Sequence, residues 1–299
     1  MPDGWEPVRS GFAAVVGRPN VGKSTLVNAL VGTKVSITSA RPQTTRNSIR
    51  GIANIVDPPA QLVLVDTPGL HRPRTALGAR LNRLVESSLA DTDVALLVLD
   101  ATGKVGPGDR MLAERLTAAA DRTIVVVAKS DAAVPEMIAA RLAEAASWDF
   151  AAYVPLSSFT GTGLDALRGE IVPRLPEGPA LFPPGMTTDQ PESLLAAELV
   201  REQYLSRLRQ ELPHSLTVVV DEIAERLGGT VYVAATVVVE RPSQKGIVIG
   251  KGGGLLRSVG EAARLELERL MAAPVYLDLR VRVEPDWQRR DALLDRLGF

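Results

Sequence analysis

The run Gly17-Arg-Pro-Asn-Val-Gly-Lys23-Ser24 directly follows the apolar stretch Phe12 to Val16 and precedes a helix-like segment, Thr25 to Leu30. A loop of the pattern GxxxxGK[ST] between a strand and a helix narrows the fold to an α/β phosphate-binding architecture. Its glycines let the backbone curl, so that successive N–H groups and the start of the next helix converge on phosphate oxygens. On this reading Gly17, Arg18, Pro19, Asn20, Val21, Gly22, Lys23, Ser24 and Thr25 form the phosphate loop. Lys23 then neutralises the β and γ phosphates, and Ser24 holds Mg²⁺. A plain glycine-rich turn would share the spacing but not the strand-loop-helix setting.

The chain has 299 residues, 45% of them hydrophobic, enough for two domains with their own cores. No apolar run approaches the roughly 18 residues of a membrane span, and Met1 to Glu6 carries no signal pattern, so a cytoplasmic location is expected. The absence of cysteine excludes disulfides, thiol catalysis and cysteine metal sites. The two histidines, His71 and His214, are expected at the surface or in packing and not as ligands. With a net charge of −1, any nucleic-acid binding must rest on a local basic surface.

In the first half, near-continuous apolar runs recur at Phe12 to Val16, Leu62 to Val65, Val94 to Leu99, Ile124 to Val127 and Tyr153 to Leu156. Helix-length segments such as Arg80 to Leu89 and Arg110 to Ala120 separate them. This alternation predicts a mostly parallel sheet covered on both faces, with ligands beyond the carboxyl ends of its strands. Every candidate motif falls at such an end. Asp66, Thr67, Pro68 and Gly69 close one strand with a carboxylate suited to organising Mg²⁺, directly or through water, and an amide suited to sensing a γ phosphate. Upstream lies a polar segment, Arg41 to Arg46, containing Gln43, Thr44, Thr45 and Arg46, with a threonine pair placed to close over the metal. Thr45 is the preferred metal ligand of the two. Ala128, Lys129 and Asp131 end a fourth strand; the aspartate can accept from N1–H and N2–H₂ of guanine, while the lysine stem covers the base. Ser157 and Ser158, after the fifth strand, present a backbone amide to guanine O6.

From Leu175 to Pro191 the chain is rich in proline and glycine and lacks periodicity, which reads as a linker. The expected organisation is therefore a nucleotide domain over 1–180, a linker over 181–192 and a second domain over 193–299. Beyond the linker come a helical pattern, Ser193 to Gln210, and strand-like runs Leu216 to Val220 and Val231 to Val239 about a Gly228-Gly229 turn. Then follow Gly246 to Ile249, the glycine-rich Gly250-Lys251-Gly252-Gly253, a long helical pattern Leu255 to Met271 and a final strand Val275 to Val283. That order predicts an α+β KH domain of the bacterial, type II topology, with a GxxG loop against which an RNA backbone lies. Arg241, Lys245, Lys251 and Arg257 fall within a stretch, Arg241 to Gly260, that has no acidic residue, and they join Gly250, Gly252 and Gly253 as candidate RNA contacts. Few aromatics lie near, so base reading is expected from apolar contacts and hydrogen bonds more than from stacking. Trp287 is expected to anchor the C-terminal helix in the core.

The motifs together resemble the Era family of KH-domain GTPases across almost the whole chain. The stretch Gly17 to Leu26, the Pro42-Gln-Thr-Thr-Arg segment, Asp66 to His71, Glu240 to Gly246 and the ending Leu-Gly-Phe carry the likeness. Two positions depart: Ala128 stands where the family's base-reading motif has asparagine, and Ser157-Ser158 replaces its Ser-Ala pair. The resemblance implies a GTPase using GTP/GDP and Mg²⁺. It further implies recognition of the 3′ end of 16S ribosomal RNA and assistance in 30S subunit assembly, by a monomer with some peripheral membrane contact. Leu70 stands where many small GTPases carry a water-orienting glutamine, which predicts slow intrinsic hydrolysis. Two competing readings make the second domain a protein or membrane docking module, or make the whole a P-loop enzyme phosphorylating a small substrate; Asp131 disfavours the latter.

Overall fold

The structure is a computed structural model that describes residues 8–39, 41, 44–69, 75–208 and 212–299. His71 lies outside them, as does the side chain of His214. The chain divides into two compact units: residues within 1–36, 45–72 and 81–189, and residues within 37–44, 73–80 and 190–299.

The first unit contains β1 (Val8–Gly17), α1 (Lys23–Val31), β2 (Ile49–Ile55), β3 (Ala60–Asp66), the larger part of α2 (Ala76–Ala90), β4 (Val94–Asp100), α3 (Pro107–Leu116), β5 (Thr123–Ala128), α4 (Pro135–Ala146), β6 (Ala152–Pro155), α5 (Leu164–Ile171) and β7 (Glu177–Gly178). One sheet runs β2-β3-β1-β4-β5-β6, with the short β7 antiparallel to the start of β1. Strands β3, β1, β4, β5 and β6 are parallel, and β2 is antiparallel to β3. The central strands read as unbroken apolar runs because both of their faces are covered. Ala13, Val15, Leu62, Leu64, Leu96 and Val98 pack against Leu26 and Leu30 of α1 and Leu167 of α5. Ala14, Val16, Leu97, Leu99 and Val125 pack against Val85, Leu112, Leu116 and Ala145 on the other side.

The strand β2 has no counterpart among the runs expected from sequence, because Gly51, Ala53 and Asn54 break both the apolar run and the alternation. Its register, Ile49↔Asp66 to Ile55↔Ala60, is set by the short turn into β3. The proline-rich segment after β7 is also more ordered than a free linker. Gln61 Oε1 accepts the amides of Leu181 and Phe182 at 2.7 and 2.8 Å. The Ile52 amide donates to Thr187 O at 2.8 Å, and Gly51 pairs with Thr188 in an antiparallel bridge.

The second unit contains α6 (Glu192–Arg207), β8 (Leu216–Arg226), β9 (Thr230–Val239), α7 (Pro242–Ile249), α8 (Gly254–Met271), β10 (Val275–Val283) and α9 (Asp291–Arg296). The sheet order is β10-β9-β8, with β9 antiparallel to β8 and parallel to β10. Strand β8 continues six residues past the apolar run that announced it. A bulge between Val220 and Glu222 accommodates Asp221, and the strand resumes its pairing beyond it. The core joins Val200 and Tyr204 of α6, Leu216 and Val218 of β8, Val237 of β9, and Val259 and Ala263 of α8. Trp287 is fully buried, donates from Nε1 to Ser215 O at 3.2 Å and stacks on Phe299, as expected of a core anchor.

Candidate functional site

The carboxyl ends of β1, β3, β5 and β6 lie on one rim of the first sheet, since these strands are parallel. Gly22, at φ 108°, turns the chain into α1 with no side-chain cap, so the amides of the first helical turn stay open to a ligand. Lys23 is buried and folds back over the loop, donating from Nζ to Gly17 O at 3.1 Å and Arg18 O at 2.9 Å. Burial pulls its pKa from 10.5 to about 8, although the charge of Asp66 opposes the fall. An arriving phosphate restores the lost counter-charge.

The rest of the loop divides its labour. The Arg18 side chain points to α3 and not to phosphate, bonding Asp109 Oδ1 at 2.7 Å and Lys104 O at 3.2 Å, so it braces the loop from outside. Val21 is packed into the core, and Thr25 is exposed. A Cβ on Gly69 would lie 2.8 Å from Pro19 N, which places the segment after β3 hard against the phosphate loop.

Beside Lys23, three hydroxyls meet one carboxylate. Asp66 Oδ2 accepts from Ser24 Oγ at 2.7 Å, Ser36 Oγ at 2.7 Å and Thr45 Oγ1 at 3.3 Å, and the Ser24 and Thr45 hydroxyls are 3.0 Å apart. Asp66 Oδ1 is buried without a partner. Burial raises the Asp66 pKa, against the hydrogen bonds of Ser24 and Ser36, the Lys23 charge and the Thr45 bond. An orphaned carboxylate oxygen beside two converging hydroxyls fits a hard divalent cation that completes its shell with phosphate and water. No group of three or more His, Cys, Asp or Glu able to hold a metal occurs among the described residues, so a protein-only cage is not what this site offers.

Of the threonine pair, Thr45 faces this cluster and Thr44 does not. The Thr44 hydroxyl donates to Arg41 O at 2.7 Å, and its carbonyl accepts from Arg201 Nη2, all three residues belonging to the second unit. Arg201 is itself buried in a bidentate pair with Glu198, Nε to Oε1 at 2.8 Å and Nη2 to Oε2 at 2.6 Å. Arg46 is buried, and Thr67 Oγ1 donates to Val15 O at 2.8 Å, fixing the chain that leads to Pro68. Gln43 and Leu70 lie outside the described residues. Sequence reasoning missed Ser36 and Asn28. The Asn28 carboxamide grips the backbone at Val35 and Ser36, accepting both amides at 2.9 Å and donating to Ser36 O at 2.7 Å. No motif marks such a long-range clasp.

At the base end, Lys129 sits at φ 63° and its Nζ donates to Asn20 O at 2.7 Å and Asp100 Oδ2 at 2.6 Å. The tie between this loop and the phosphate loop thus runs through the lysine. Ala128 is buried, and a Cβ on Gly22 would lie 3.8 Å from its methyl. Asp131 is exposed at the rim. Ser157 Oγ accepts the amides of Phe159 and Thr160 at 3.2 and 3.1 Å and shapes the loop that carries Ser158, while Ser130 N donates to Leu156 O and joins the two loops.

In the second unit, α7 leads into Gly250 to Gly253, where Gly250, Gly252 and Gly253 have φ of 76°, 58° and 77°, a left-handed run that side chains resist. Arg241, Lys245, Lys251 and Arg257 are exposed and have no carboxylate partner among the described residues. A groove of about 510 Å³ runs between α8 and β10, lined from Gly253 to Arg264 with Arg257, Glu261 and Arg264 as its charged residues, and by Val275, Tyr276, Leu277 and Leu279 of β10. Few aromatics were expected near this surface, and one, Tyr276, borders the groove. Tyr276 is 62% exposed, and sequence hid it because the strand carrying it returns to α8 only in the fold.

Comparison with known proteins gives a consistent pattern. Residues 12–129 match the family model described as 50S ribosome-binding GTPase, and residues 211–288 match that of the KH domain. The chain is 53% identical to GTPase Era of Mycobacterium sp. (strain KMS) over 298 residues, covering 97% of this chain and 99% of that one. It is also 53% identical to GTPase Era of Mycobacterium tuberculosis (strain ATCC 25177 / H37Ra), covering 97% and 98%. Among solved structures, a single-residue variant of Aquifex aeolicus Era bound to GDP.AlF4⁻ aligns with a TM-score of 0.93 at 38% identity, covering 97% of this chain and 99% of that one. A complex of Era with MgGDPNP and nucleotides 1506–1542 of 16S ribosomal RNA aligns with a TM-score of 0.91 at 38% identity, with the same coverage.

Proposed function

The chain belongs to the Era family of GTPases, and on that premise we propose that it is a slow, Mg²⁺-dependent GTP switch that binds the 3′ end of 16S ribosomal RNA and assists 30S subunit assembly in the cytoplasm. It hydrolyses GTP to GDP and phosphate.

Catalysis in such a site is positioning and charge neutralisation, with water as nucleophile. The open amides at the start of α1 and the Lys23 ammonium receive the β and γ phosphates, Lys23 leaving the loop carbonyls it now serves. Ser24, Thr45 and Asp66 would hold Mg²⁺, Asp66 directly or through water, and the ion neutralises charge on the phosphate oxygens when bound. Ser36 holds the Asp66 carboxylate in place through Oδ2 and leaves Oδ1 for the metal shell. Thr45 reaches the cluster only while its segment is closed, so loss of the γ phosphate weakens what keeps it there. Asp131 reads the guanine edge, and Lys129 spans from the base to the phosphate loop. Leu70 follows Gly69 with no polar group to orient water, which supports slow turnover.

The RNA reading rests above all on the groove beside Gly253, open and flanked by Arg257, which has no carboxylate partner among the described residues. A backbone laid across Gly250 to Gly253 meets main-chain amides, and bases enter between α8 and β10. The test is binding of a labelled single strand matching the 3′ end of small-subunit ribosomal RNA, at fixed salt, with a non-hydrolysable GTP analogue or GDP bound. Tighter binding with the analogue, abolished by Gly253→Asp, is expected. No binding in either state overturns the reading.

A further inference from the structure

Across the face of the second sheet that points away from α8 stands a row of three side chains. Tyr232 of β9 and Tyr276 of β10 are in register and stack with centroids 5.9 Å apart and planes 18° apart. On the other side of Tyr232 the Arg226 guanidinium lies 4.2 Å from the ring centroid. Arg226 has no carboxylate partner among the described residues. Strand β10 is an edge of the sheet, so Tyr276 ends the row, and the same residue also borders the groove on the other side of that strand.

The two tyrosines are treated differently. The Tyr232 hydroxyl donates to Asp278 Oδ2 at 3.2 Å, which fixes its ring. Tyr276 has no hydrogen bond to its hydroxyl among the described residues and keeps 62% of its surface in solvent. Cross-strand aromatic pairs commonly serve the sheet alone. Such a role does not require the outer ring to stand exposed at the border of the sheet next to a groove, nor a guanidinium behind the inner one. The carboxylate bonded to the pair, Asp278, is matched by Arg280 at 2.8 Å.

We propose that Tyr276, backed by Tyr232, whose other side Arg226 covers, is a stacking platform for an unpaired nucleobase of the RNA strand that leaves the groove. The inference rests on the RNA-binding reading given above and extends the footprint beyond the nucleotides a GxxG loop clamps. A GxxG loop grips about four backbone nucleotides, and Gly253 to Arg264 spans about 16 Å of helix at 1.5 Å per residue. Because β10 is an edge strand, a base past the end of that path reaches the Tyr276 ring by turning round the border of the sheet. Because stacking reads a π-face and not an edge, the platform takes purines more tightly than pyrimidines but does not demand one base.

The experiment uses the full chain with a GTP analogue and two RNA lengths: a tetranucleotide that fills the groove, and the same sequence extended by two nucleotides at its 5′ or 3′ end, one of them 2-aminopurine. In the wild type, one of the two extensions tightens binding about tenfold and quenches the 2-aminopurine, as base–aromatic stacking does elsewhere. Tyr276→Ala abolishes the quenching and makes the extended RNA bind no more tightly than the tetranucleotide, and Tyr276→Trp restores both differences. Equal affinity of Tyr276→Ala and wild type for the extended RNA overturns the platform and leaves the groove reading standing. Failure of the wild type to bind either length overturns both.

Discussion

Replacing Ala128 by asparagine should strengthen guanine-nucleotide binding about fivefold. The Ala128 methyl is buried at the junction of the two loops, 3.8 Å from where a Gly22 Cβ would be. A carboxamide there reaches the inner wall of the phosphate loop on one side and the base on the other. Two new hydrogen bonds are worth about 0.5–1.5 kcal/mol each. Fixing the side chain costs about 0.5–1 kcal/mol, which leaves a net gain near 1 kcal/mol, or roughly fivefold. The existing brace from Lys129 to Asn20 O and Asp100 limits the gain, because the loops are already tied. Equilibrium titration of a fluorescent GDP into both proteins measures the change, and ITP, which lacks the guanine amino group, serves as control. Since Asp131 is untouched, the preference for GDP over IDP and for GTP over ITP should stay constant while absolute affinity rises. Unchanged or weaker affinity in a variant that melts like the wild type would refute the placement of residue 128 at this junction.

Three further outcomes follow from buried groups. Lys23 has its folded pKa lowered to about 8 by burial, so its charge costs stability below pH 8 and the cost is relieved as pH rises toward 10.5. Nucleotide-free wild type should therefore gain about 2 kcal/mol relative to Lys23→Met between pH 7.5 and 9.5 in urea melts, and a flat difference would contradict the burial. Ser36→Ala removes one of three donors to a buried carboxylate and should cost about 1–3 kcal/mol in stability, with weaker Mg²⁺-dependent binding of a GTP analogue; unaltered binding would show that Ser36 only packs. Trp287→Ala should destabilise the second unit by about 3–5 kcal/mol, read as an early transition in calorimetry, while nucleotide affinity stays constant.

The sequence made the first unit legible where chemistry and periodicity coincide. A strand buried on both faces prints as an apolar run, and a phosphate loop needs its glycines and lysine at fixed spacing, so Gly17 to Ser24 and Asp66 could be placed without coordinates. Adjacent threonines offer the same hydroxyl, and it is geometry that turns Thr45 to Ser24 and Thr44 to Arg41. What stayed hidden is what distant residues do to each other. Asn28 and Ser36 look like ordinary polar residues until the chain folds back on α1. Strand β2 escaped because an edge strand with one covered face tolerates glycine and asparagine. Tyr232 and Tyr276 are far apart in sequence, and only the parallel pairing of β9 with β10 makes them a pair. The end of β8 was missed because charge at Asp221 and Glu222 reads as a turn, whereas a bulge keeps such residues in a strand.

The stitching of residues 181–188 along the first sheet bears on where the chain can be cut. Strand β2 is an outer strand, and bare strand edges recruit other chains. Met186, Thr187 and Thr188 occupy backbone and side-chain groups of that border, and Gln61 holds Leu181 and Phe182 beside it. A fragment ending at residue 180 would lay this border open and invite self-association. One ending at residue 189 keeps its own selvage, and the proline-rich stretch acts as a hem to the nucleotide unit before it is a tether to anything else.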